Sequence, residues 1–183
     1  MQALGIVLMS IGAAVIYGVV HDQITARICI EYFTIGHPPI FGTNDPTLLG
    51  LGWGVIATWW AGLLMGIPLA IAARAGTRPP RSTGSLIKPI SNLLLIMAST
   101  AFIAGVTGWI LATSGAVFLV GPIASDVPTD RHVPFLVDLW AHSASYLCGF
   151  LGGVVLCIRV WLAVQSVSPE GCTAQSSGRL WIA

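Results

Sequence analysis

The chain has 183 residues, 55% of them hydrophobic and only 8% charged, with a formal net charge of +1 and a mean hydropathy of +0.85. Ordinary soluble domains carry roughly 25% charged residues, so this composition excludes one and points to a polytopic membrane protein. The near-neutral charge also excludes nucleic acid as a partner, because binding a phosphate backbone needs clustered Lys and Arg.

Ala3 to Val20 is apolar except for Ser10 and Tyr17. That is close to the roughly 20 residues that cross a hydrocarbon core of about 30 Å, so residues 3–20 are predicted as the first span. No Lys or Arg precedes them, which favours a retained helix over a cleaved signal. His21 to Pro39 then gathers two of the four histidines with Asp22, Arg27 and Glu31. This stretch is too polar for a span but has helical periodicity: Ile24, Ile28, Glu31 and Ile35 share one side, and His21, Thr25, Cys29 and Tyr32 the other. It reads as a helical extension of the first span or an interfacial amphipathic helix, stopped by Gly36 and the Pro38-Pro39 pair. Arg27 and Glu31, four apart, are expected to form a surface ion pair.

Asp45 or Thr47 is a plausible N-cap for the second span, residues 48–73. There Gly50, Gly54, Gly62 and Gly66 are spaced for close helix packing, and Pro68 should introduce a kink. Arg74 to Lys88 is a basic, breaker-rich loop that holds four of the eight Lys and Arg residues. The third apolar run, from Pro89 to about Val120, is longer than a straight span needs. Either a tilted helix fills most of it, or the helix ends near Thr113-Ser114-Gly115, giving a span over 89–113. Gly121 to Pro134 reads as a loop, residues 135–164 as the fourth span and 166–183 as a flexible tail. The expected fold is an all-α integral membrane protein, with residues 1–165 forming one domain of four transmembrane helices in a bundle and an outer amphipathic or irregular segment after helix 1.

The Lys and Arg distribution around the spans predicts both termini and the basic loop on the cytoplasmic side. His21 to Pro39 and the loop at 121–134 then lie outside, with Trp53 and Trp140 at the outer interface and Trp161 at the inner one. That topology separates Cys29 from Cys172, and Cys148 and Cys157 fall on opposite faces of one helix, so no disulfide framework is expected.

No nucleotide loop, dinucleotide fingerprint, nucleophile elbow or His-Glu-x-x-His signature is present, so function must rest on polar residues in or beside the membrane, which are costly there. Asp138 and His142, four apart, share a helix face near the outer end of span four. If spans one and four are neighbours, His21, Asp22, Asp138 and His142 converge, with Glu31 and His37 within reach from the outer segment. Imidazole and carboxylate donors suit zinc, copper or iron, while His21 and His142 could instead be axial ligands of a haem. The bland alternative is that Asp138 and His142 serve packing or an interhelical hydrogen bond.

The string from His21 through Arg27 (His-Asp-Gln-Ile-Thr-Ala-Arg), followed by Glu31 to Pro38 (Glu-Tyr-Phe-Thr-Ile-Gly-His-Pro), resembles a string found in small bacterial four-span membrane proteins. It covers about the first third of the chain. The resemblance implies a bacterial inner-membrane location and carries no activity. Two functions remain open: a membrane-embedded metalloprotein, enzyme or redox protein with a site between helices 1 and 4, or a non-catalytic subunit whose glycine-lined helices bind other membrane subunits or a second copy.

Overall fold

The computed structural model describes residues 1–76 and 79–165. The tail at 166–183, with Cys172 and Arg179, and Arg78 of the basic loop lie outside the described residues. Among those described there is no strand. The helices are α1 (Gln2–Ile28), α2 (Ile30–Thr34), α3 (Pro46–Ile56), α4 (Trp59–Arg74), α5 (Ile87–Thr113), α6 (Pro122–Asp126) and α7 (His132–Gln165), with 3-10 turns at Thr83–Leu86 and Thr129–Arg131. Four stretches are long and apolar enough to cross a membrane: Gln2–Ile28, Pro46–Arg74, Thr83–Thr113 and Thr129–Ala163.

The first span runs eight residues past Val20. Its polar extension stays helical because Asp22, Thr25 and Ala26 turn inward and are buried, while Ile24 is 60% exposed. The expected faces therefore hold as far as Ile28. At Cys29 the backbone turns extended (φ −145°, ψ 100°) and α2 starts in a new direction, so Glu31 does not continue the α1 face. Arg27 donates to the Gln23 carbonyl and side chain and to Thr47 Oγ1 at 2.9 Å. Glu31 pairs with Arg131 instead, at 3.0 Å. The expected Arg27–Glu31 pair is thus replaced by two links from this segment to other elements.

Asp45 caps α3, accepting from the Thr47 and Leu48 amides at 2.9 Å each. The second span breaks at Ala57-Thr58, where the Thr58 hydroxyl donates to the Gly54 carbonyl. Gly50, Gly54, Gly62 and Gly66 all face α1: a Cβ on Gly54 would lie 2.5 Å from Val19 Cα, and one on Gly62 2.6 Å from Ile11 Cα. Only hydrogen fits there, so the two backbones run in direct contact. At the end of α5, Gly115 takes φ +74°. The Gly115 amide bonds Ala112 O and the Ala116 amide bonds Leu111 O, the paired pattern that ends a helix on a left-handed glycine.

α1 packs along α3 and α4, α5 along α7, and α4 against α7. With the C-terminal end of α1 drawn upward, two apolar clusters close the bundle. The lower one centres on Ile6, Leu69, Ala73 and Leu86. The upper one joins Cys29, Phe33, Leu49, Trp53, Val127 and Phe135. Trp53 is 7% exposed, so it belongs to this core rather than to an interfacial belt. Between the clusters the two helix pairs stand apart.

Candidate metal centre

α1 and α7 meet just beneath the upper cluster, and there His21, Asp22 and His142 come together. One ligand atom from each lies within 4.8 Å of the others. Close approach of α3 behind α1 sets Asp22 in place: a Cβ on Gly50 would lie 2.9 Å from Asp22 O. Asp22 and His142 are 5% exposed each, and His142 Nε2 stands 3.2 Å from Asp22 Oδ1.

The other ring nitrogen fixes the tautomer. His142 Nδ1 is 2.8 Å from the Asp138 backbone carbonyl, which can only accept, so Nδ1 carries the proton. A doubly protonated ring would donate from Nε2 to Asp22 as an ion pair, whereas a singly protonated one presents a lone pair at Nε2 toward the carboxylate oxygen. Two acceptors do not rest 3.2 Å apart unless a proton or a cation lies between them. His21 Nε2 is also buried, with no hydrogen-bond partner. The His21 and His142 rings meet edge to face at 4.5 Å between centroids, and Tyr32 stacks on His142 from α2, also at 4.5 Å.

Asp138 was expected to converge with these three, but the grouped ligand atoms are those of His21, Asp22 and His142, and it is the Asp138 backbone carbonyl that meets His142. The carboxylate is fully buried and neither oxygen has a hydrogen-bond partner. The Cys29 amide is close but is spent on Thr25 O at 2.9 Å.

Glu31 and His37 are engaged elsewhere. Burial would raise the Glu31 carboxyl, but hydrogen bonds from its own backbone, Arg131 and Cys29 outweigh this and hold it below its ordinary value. Burial pushes the neighbouring Cys29 thiol up to about 12. His37 Nδ1 bonds Tyr32 O at 2.8 Å, and its ring packs on Trp53 at 4.6 Å.

Sequence reasoning left out Tyr17, whose hydroxyl bonds Ser145 Oγ at 2.7 Å and whose ring stacks on His21. The signal was available, since Tyr17 lies one turn before His21 on the same face. It also left out Arg131, which joins Glu31 and the Ile28 carbonyl from 100 residues away; no spacing could have shown that.

The fold and this cluster define a class: a multi-pass helical membrane bundle with a His–Asp–His group of which Asp22 and His142 are buried. No family model matches the chain, and no curated protein or solved structure is significantly similar to it.

Proposed function

We propose that the chain is a membrane-embedded metal-binding protein whose ion is held by His21 Nε2, Asp22 and His142 Nε2. The observation that carries this reading is the convergence of one ligand atom from each of His21, Asp22 and His142 within 4.8 Å of one another, with His21 Nε2 buried and without a hydrogen-bond partner. Two ligand atoms, each about 2.0–2.1 Å from a tetrahedral zinc, stand about 3.3 Å apart; His142 Nε2 and Asp22 Oδ1 stand 3.2 Å apart, a spacing that an ion pair also gives, and all three ligand atoms lie within 4.8 Å of one another. Two imidazoles and a carboxylate suit zinc, iron or copper. The unpartnered Asp138 carboxylate, one helical turn before His142, would supply a second negative charge if a bound dication drew off its proton. The close His21–His142 ring contact leaves no room for a macrocycle between them, which favours a single ion over haem.

Three protein ligands leave a position for water or substrate, as catalytic rather than structural zinc sites do. A bound ion would act there as a Lewis acid or electron carrier. Its protein-derived partners are Asp22, which balances charge, and His142, held to one tautomer by the α7 backbone. On the Lys and Arg distribution, we place this end of the bundle outside and both termini in the cytoplasm. The resemblance of the His21–Pro38 string adds a bacterial inner membrane. The subunit reading loses one of its supports, because Gly50, Gly54, Gly62 and Gly66 are covered by α1.

Elemental analysis of detergent-purified protein, with its visible spectrum, tests the proposal. We expect about one zinc, iron or copper per chain, lost in His142→Ala and kept in Glu31→Gln. No metal in the wild type, and none taken up on titration, would overturn it and favour the interhelical hydrogen-bond and subunit reading.

A further inference from the structure

The gap between the helix pairs is a cavity of about 460 Å³, within the range of roughly 300–1,000 Å³ that holds small-molecule ligands. One wall follows α1 from Ser10 to Asp22, about 18 Å at a rise of about 1.5 Å per residue. Its upper end is polar, with His21, Asp22, His142 and the Tyr17–Ser145 pair; the rest is apolar, with Met65, Leu93 and Met97 across it. Trp60, Leu64 and Phe150 also line the cavity and are 49%, 52% and 54% exposed on the outer face of the bundle. Its rim on that side therefore meets hydrocarbon, and an occupant would enter from the bilayer.

We infer that this cavity binds a single-chain lipid with a neutral, hydroxyl-bearing head, seated with the head at His21 and Asp22 and the tail between Met65 and Met97. The inference rests on the proposed site in taking the His–Asp–His group as the polar end of the cavity. The chemistry of that end selects the head. The unpartnered His21 Nε2 accepts a hydroxyl proton that an anionic head does not carry, and the buried Asp22 carboxylate lines the same end. Two methionines suit an apolar tail, because the thioether chain adapts to irregular shapes. The length of the wall suits an extended chain and not a compact solute.

The test uses full-length protein in nanodiscs, a photoreactive diazirine analogue of 4-dodecylphenol, and dodecanoate and dodecane as competitors, with metal content measured on every sample. The expected result is saturable labelling that maps to Met65, Leu93 or Met97 and is displaced at least tenfold better by 4-dodecylphenol than by either competitor. Met97→Trp, which fills the apolar part, should lose labelling while keeping its metal. His21→Ala should lose head selectivity. Labelling that is absent, or equally displaced by dodecane, from protein carrying stoichiometric metal would overturn the lipid inference and leave the metal site standing. Selective labelling of metal-free protein that takes up no ion would support the lipid site and sink the metal reading.

Discussion

At the scale of single residues, Asp138 is the position whose chemistry is least accounted for by packing alone. A buried carboxylate without partners costs on the order of 1–3 kcal/mol relative to a satisfied group, and Asp138 has none. If its charge serves the ion, Asp138→Asn should act in opposite directions on the two forms. It should raise the thermal stability of metal-free protein and weaken metal affinity by roughly tenfold to a hundredfold. Equal metal affinity in the two proteins would remove Asp138 from the site. Glu31 gives a second residue-level prediction. Its carboxyl is held below the ordinary value of 4.5, so the Arg131 pair contributes stability above that pH and loses it as pH falls through the lowered value. The pair is partly exposed, so Glu31→Gln should cost at most about 1 kcal/mol at neutral pH. In detergent melts the difference from wild type should disappear in acid; a difference that grew there would contradict the assignment.

At the scale of elements, the interface of α1 with α3 and α4 depends on hydrogen at the glycine positions. Gly54→Ala would place a methyl 2.5 Å from Val19 Cα and 2.6 Å from Val19 N, and overpacking of this kind costs about 1–3 kcal/mol. Gly12, on the same α1, has nothing within 4 Å of its Cβ position, so Gly12→Ala should be neutral or stabilising through helix propensity. Thermal melts of both variants should separate; equal melting points would mean that the helices are not in backbone contact. The spans themselves were legible, because runs such as Leu48 to Ala73 declare themselves by length and apolarity. The upper part of α1 was legible as helix but not as buried. Hydropathy reads His21 to Arg27 as polar and cannot see that Asp22 and Thr25 turn into protein rather than lipid. The break at Thr58 was not legible, because the Thr58 hydroxyl that donates to the Gly54 carbonyl there is no breaker signal in the sequence.

At the scale of the whole molecule, the convergence of spans one and four is what makes a site. Asp138 and His142 share a face by spacing alone, and His21 and Asp22 lie at matching depth, so the meeting of His21, Asp22 and His142 was foreseeable. That His142 would be oriented by the Asp138 backbone, leaving its carboxylate alone, was not, because a spacing of four fits both arrangements. The orientation of the bundle is testable separately. In intact cells an impermeant thiol reagent should label cysteines introduced at Asn44 or Asp130 and miss one at Thr83, and the reverse pattern would invert the bundle. The central claim is that His21, Asp22 and His142 hold one ion, and cobalt titration of metal-stripped protein measures this directly. The account predicts saturation at one cobalt per chain with the intense visible bands of a four-coordinate ion, abolished by His142→Ala and unchanged by His37→Ala. No visible bands in the wild type, or identical bands in His142→Ala, would contradict it.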